Sequence, residues 1–128
     1  MTDMLQPEPP RRGIRRWPRA FRYSVAGLRA CWSKEAAFRQ EAAFAVFMIP
    51  GSFWLGTSAV ERLLLVSSVL LVLIVELINS AIEAVVDRVS TDPHSLSGFA
   101  KDLGSAAVLL SLVIVWLTWG LIAWERFS

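Results

Sequence analysis

Two long apolar runs, Leu63–Val86 and Leu103–Trp124, constrain this chain more than anything else in it. Each exceeds twenty residues, and at about 1.5 Å of rise per residue such a helix crosses a hydrocarbon layer of about 30 Å. A third run, Ala36–Leu55, is weaker, because Arg39, Gln40 and Glu41 interrupt its start and Pro50-Gly51 its end. The chain is 55% hydrophobic yet 19% charged, so charge must be segregated to the ends of apolar blocks. The expected fold is an all-α membrane protein in one membrane domain from about residue 14. It has an N-terminal amphipathic surface helix at about 18–34 and three transmembrane helices at about 36–55, 63–87 and 103–124.

The segment Met1–Gly13, with Pro7, Pro9 and Pro10, reads as a disordered tail. Phe21, Val25, Leu28 and Trp32 then recur at spacings of four, three and four, with Arg15, Arg16, Arg19, Arg22 and Arg29 around that face. Such a helix lies in the membrane interface or, equally well, covers the mouth of a helical bundle. Nine of the thirteen Lys and Arg residues fall between Arg11 and Arg39. Next to apolar spans, that basic front suits anionic headgroups better than nucleic acid, and it places the N-terminus in the cytoplasm. No signal peptide is expected, since no apolar stretch with a small-residue cleavage site follows Arg11–Arg19 at the usual distance. Most tryptophans stand near span ends, as interfacial anchors do. Cys31 is the single cysteine, which excludes an internal disulfide and reads as a small interfacial residue.

The second span carries a polar stripe: Glu76, Asn79, Glu83 and Asp87, spaced three, four and four, so that all share one helical face. A carboxylate at membrane depth costs about 2.5–3.5 kcal/mol on insertion scales, so the stripe is by default a functional site. Glu76 lies seven residues deeper than Glu83, roughly 10 Å along the axis. A deep, desolvated carboxylate suits a general base acting on an alcohol. The shallower Glu83 suits a hard-oxygen ligand for magnesium, which takes one or two protein carboxylates beside phosphate and water. Glu35, where the surface helix turns into the first span, and Lys101-Asp102, at the start of the third, converge on the same cytoplasmic level. Acid, cation and amide together suit metal-nucleotide phosphoryl transfer. No G-x-x-x-x-G-K-[ST] loop occurs, so any kinase here uses a different architecture.

Plainer readings stand beside these. The acids and Asn79 also fit a polar clamp between helices, Lys101-Asp102 a helix-start pair, Arg39 and Glu41 a headgroup-level pair, and Asp87-Arg88 an interfacial one. A stripe of acids also lines proton or cation pathways. Three spans surround a polar site poorly, so oligomerisation is expected.

At Glu35-Ala-Ala-Phe-Arg-Gln-Glu41, Glu76-x-x-Asn79-Ser-Ala-Ile-Glu83-Ala-Val-Val-Asp87-Arg88 and Ser97-Gly98-x-Ala-Lys101-Asp102-x-Gly-Ser-Ala-Ala107 the chain resembles the small prokaryotic integral-membrane diacylglycerol kinases. The likeness runs from about Tyr23 to Ala107. It implies a homotrimer of three-span subunits in the bacterial inner membrane, transferring the γ-phosphate of ATP to diacylglycerol with Mg2+ to give phosphatidic acid. Undecaprenol is the acceptor for some relatives. By the same resemblance Glu76 is the base on the lipid hydroxyl, and Glu35 and Glu83 hold the metal with ATP. Arg16, Tyr23, Lys101 and Asp102, with the loop residues Asp92, Pro93 and His94, match nucleotide contacts. Asn79, Asp87 and Ser105 align with polar residues around the site. Lipid contacts map onto Arg29, Ala30, Cys31 and Trp32, onto Ala37, Phe38, Arg39, Gln40 and Glu41, and onto Trp54, Leu55, Gly56, Thr57 and Arg62. The chain departs from the common pattern at Pro93, where an aromatic is usual, at Phe99, where a basic residue is usual, and at Val25-Ala26, where some members carry Trp-Lys.

Overall fold

The computed structural model describes residues 16–128, with side chains from Pro18 onward. The proposed tail and the side chain of Arg16 lie outside the described residues. Four α-helices follow one another: α1 (Arg16–Lys34), α2 (Ala36–Leu55), α3 (Ala59–Val89) and α4 (Ser95–Phe127). No strand occurs among the described residues, so the all-α expectation holds. Among the described residues, those up to Ala30 form one unit and Cys31–Ser128 a second.

In the first unit Pro18 falls in the first turn of α1, where its missing N–H leaves no bond unmade. Arg19 Nε donates to Tyr23 Oη at 2.9 Å, and the guanidinium lies 5.4 Å from the Tyr23 ring centre. Phe21, Leu28 and Tyr23 are exposed, so this stretch presents apolar and aromatic surface outward.

In the second unit each helix boundary has a local cause. The last carbonyls of α1 are taken by Arg39, whose Nη1 donates to Trp32 O at 2.8 Å and Ser33 O at 3.2 Å. Arg39 thus serves as a C-terminal cap, which the dipole of α1 also favours. Glu35 breaks the helix with extended backbone angles (φ −115°, ψ 109°) and makes no side-chain capping bond to α2. The turn from α2 to α3 passes through Gly56, where a Cβ would stand 2.7 Å from Arg62 Cγ and 3.0 Å from Ser52 O. A side chain there would push Arg62 aside and crowd the backbone of the turn. Ser58 then caps α3, its Oγ accepting from Glu61 N at 3.1 Å, while Glu61 Oε1 accepts from Thr57 N at 3.2 Å. This reciprocal box starts α3 four residues before the apolar run begins. In the next loop Ser90 Oγ accepts from Asp92 N at 3.0 Å, and His94 Nδ1 accepts from Leu96 N at 3.1 Å to cap α4. The helix therefore begins at Ser95, well before Leu103.

Helices α3 and α4 pack along each other, and α2 lies mainly against α3. At the end near the α2–α3 turn, Leu55, Leu65 and Ile122 form a buried apolar cluster covered by Trp119 and Ala123. Trp119 Nε1 donates to Ser68 Oγ at 3.1 Å, and Ser68 Oγ donates to Leu65 O at 2.8 Å. Outside these contacts the helices remain strongly apolar: Phe47, Val46, Trp116, Leu110 and Leu121 are all exposed. Both α3 and α4 are long and apolar enough to cross a membrane, with only 28% and 11% of their most apolar windows buried. A helix apolar on its exposed faces needs lipid or another chain around it.

Candidate active site

The polar stripe of α3 faces into the second unit at the end opposite the Leu65 cluster. Glu76 is buried at 6% exposure, Asn79 and Glu83 are half-buried, and Asp87 is exposed. The structure thus reproduces the dry-to-wet gradient that the spacing predicts. Glu35, Glu41 and Glu83 all lie near enough to Glu76 to act on its charge. Three further carboxylates, from the α1–α2 break, α2 and α3, thus lie within electrostatic range of one buried acid. Among the described residues no three or more His, Cys, Asp or Glu side chains form a ready metal cage. An open set of hard oxygens fits magnesium, which keeps water and substrate phosphate in its shell.

Asn79 is held from two sides. Its Nδ2 lies 3.4 Å from Glu83 Oε1, a long contact that still sets which way the amide faces. Its Oδ1 is buried without a hydrogen-bond partner and rests against the backbone of α4 at Gly104, where any Cβ would collide with it. Gly104 is itself buried. The absence of a side chain there lets α3 and α4 meet at the level of the acids. Sequence reasoning passed over Gly104, although it stands inside the Lys101–Ala107 motif. A glycine one turn from polar residues on a helix is the signal that was available.

Lys101 does not pair with its neighbour Asp102. Its Nζ lies 2.9 Å from Asp87 Oδ1, joining α4 to the end of α3 across the loop. The hydrogen bond and then the charge of Asp87 push the Lys101 ammonium above its ordinary value. Stability from a raised lysine is present below its ordinary value and lost only as pH climbs through the raised one, so the pair persists at neutral pH. Asp87, read as a partner for Arg88, instead reaches Lys101. The two line a cleft of about 290 Å3 together with Asp92, Pro93 and His94 of the loop. Asp102 and Ser105 are exposed on α4.

A second cleft, of about 330 Å3, lies between α2, α3 and α4. Phe44, Met48, Val72, Val115 and Trp116 line it, with Glu41 as its charged member. Val72 is one turn from Glu76, so this apolar cleft runs toward the buried acid. Of the residues matched to lipid contacts, Cys31, Phe38, Leu55 and Gly56 are buried, Arg39 and Glu41 are half-buried, and Trp32, Ala37, Gln40, Trp54, Thr57 and Arg62 are exposed. Arg29, Ala30 and Tyr23 belong to the first unit. Cys31 Sγ lies 3.7 Å from Ser80 Oγ. Burial, with added repulsion from Glu35 and Glu76, pushes its thiol up, which makes it a packing residue rather than a nucleophile.

Apolar helices around a buried acid, with an apolar cleft at one side and a charged loop cleft at the other, are the features of a helical protein built for a membrane. Residues 22–123 match the prokaryotic diacylglycerol kinase family, and the chain belongs to that family of lipid kinases. It is similar to the diacylglycerol kinase of Escherichia coli (strain K12), at 50% identity over 116 residues, 91% of this chain and 95% of that one. The diacylglycerol kinase of Haemophilus influenzae is 50% identical over 99 residues, 77% of this chain and 84% of its own. That of Helicobacter pylori (strain ATCC 700392 / 26695) is 41% identical over 120 residues, 94% and 93% of the two chains.

Proposed function

We propose that the chain transfers the γ-phosphate of ATP to the hydroxyl of diacylglycerol, yielding phosphatidic acid and ADP, with Glu76 as general base. The observation that carries the reading is the buried Glu76 among Glu35, Glu41 and Glu83, one turn from a cleft lined almost wholly by apolar side chains. An acyl chain suits that cleft, and the glycerol hydroxyl of the lipid then comes to the acid. Glu76 accepts the hydroxyl proton as the lipid oxygen bonds to the γ-phosphorus and the bond to the ADP oxygen breaks. Glu35 and Glu83 are the carboxylates that would hold Mg2+ with ATP. When bound, the ion neutralises phosphate charge. Glu35 spends no oxygen on helix capping, and Asn79 restrains Glu83. Lys101 and Asp102, beside the loop cleft, receive the nucleotide.

The same reading makes α2 a third span beside α3 and α4. It places the N-terminus in the cytoplasm of a bacterial inner-membrane protein. It also makes the working form a homotrimer, because one subunit leaves large apolar faces and its own acids incompletely enclosed. The test uses purified protein in vesicles with magnesium and γ-labelled ATP, offered diacylglycerol and undecaprenol separately. Labelled phosphatidic acid without ion flux is the expected result. Preferential labelling of undecaprenol would move the substrate to the other lipid alcohol, and proton or cation flux without lipid labelling would overturn the kinase reading.

A further inference from the structure

The loop cleft is guarded by an ion pair whose strength and position fit a task beyond stability. Lys101 Nζ and Asp87 Oδ1 are 2.9 Å apart, with side chains 44% and 51% exposed. The pair spans the loop from the last turns of α3 to the early turns of α4 and forms one wall of the cleft. An ammonium has three donors, yet its position here is set by the acid. An incoming polyphosphate must share Lys101 with Asp87 or replace it. Sharing sets two anions beside each other, and Asp92 adds a further negative charge to the same cleft. Replacement is the easier course, since an exposed pair is weak and opens readily. A buried pair would resist, because its separated charges would lack water.

We propose that Asp87 is the resting counter-ion of Lys101, displaced when nucleotide phosphates take the lysine and restored when spent nucleotide leaves. Asp87 is then a positioning residue that acts through Lys101. It holds the ammonium at the rim of an empty cleft and competes with bound phosphate, which weakens product binding and speeds turnover. The inference rests on the nucleotide reading of the loop cleft given above.

The test measures affinity of the full-length protein for magnesium-ADP and for the magnesium complex of β,γ-imido-ATP, with kcat and KM alongside. Asp87→Asn should tighten both complexes by about two- to fivefold, the range set by an exposed ion pair, with KM and kcat falling together. Asp87→Glu keeps the charge and should restore wild-type affinity. Lys101→Met should weaken binding at least tenfold, and adding Asp87→Asn to it should give no gain. Should Asp87→Asn fail to assemble, Asp87→Ser carries the same expectation at this exposed position. Unchanged or weaker binding in Asp87→Asn, with Lys101→Met still impaired, overturns the counter-ion role while the nucleotide reading survives. A gain that persists without Lys101 also overturns it, since Asp87 would then act directly on the ligand. Normal affinity in Lys101→Met would sink the nucleotide reading, and the counter-ion with it.

Discussion

The two ends of the α3–α4 pair are built from opposite chemistry. Near the α2–α3 turn, Leu55, Leu65 and Ile122 fill the space between helices, and the polar contact from Trp119 to Ser68 is satisfied. Near the α3–α4 loop, the helices meet over Asn79 and Gly104, with a buried oxygen left unpartnered and a buried acid one turn below. The apolar end is filled by packed apolar side chains. The acid end holds polar groups at a cost in stability, which is the usual mark of a site shaped for reaction rather than for folding. On the proposed mechanism stability and chemistry are divided along one pair of helices, and substitutions at each end should separate them.

The largest effect belongs to the buried acid. On the proposed mechanism Glu76→Gln keeps shape and removes the base, so kcat should fall by about 10²–10⁴ while the assembled protein keeps its size-exclusion profile and melting temperature. Wild-type turnover in that variant would remove Glu76 from the chemistry. With Glu83 as a direct metal ligand, Glu83→Gln should cost at least the roughly 10–100-fold that loss of an outer-shell partner does, with the apparent magnesium requirement rising and excess magnesium restoring part of the rate. If added metal restores nothing, Glu83 is not a metal ligand.

At the apolar end the readout reverses. Leu65→Ala opens a cavity around a side chain with no exposed surface and should lower stability by about 2–3 kcal/mol, seen as a lower melting temperature in detergent. Its kcat at permissive temperature should remain within about twofold of wild type, the margin expected when no catalytic contact is touched. Gly104→Ala forces a methyl group onto Asn79 and should cost about 1–3 kcal/mol together with activity. The companion Asn79→Ala should relieve the stability loss without restoring turnover. The smallest effect is Trp119→Phe, which removes the bond to Ser68 and should cost about 0.6 kcal/mol, as interhelical hydrogen bonds in membranes do on average. A kinetic defect in Leu65→Ala, or a purely thermal one in Gly104→Ala, would dissolve the division between the ends.

Much of this organisation was legible in the residues. Helical periodicity placed Glu76, Asn79, Glu83 and Asp87 on one face, and position along the run ordered them by depth, because both follow from fixed helix geometry. Glu35 was legible as the break before α2. The capping at Ser58 and His94 was not, so α3 and α4 extend beyond the apolar runs that marked them: caps act outside the hydrophobic pattern. Arg39 looked like a partner for Glu41, yet it closes the C-terminus of α1.

By itself the sequence determined that the chain is helical and membrane-seeking, with acids confined to one face of α3, because side-chain order and a 3.6-residue turn suffice for that. Only the tertiary structure decided which groups meet: Asp87 with Lys101 rather than Arg88, and Asn79 against Gly104. Those contacts depend on how closely and at what level separate helices cross. That is set by missing side chains and packed ones together, which no single segment's periodicity contains.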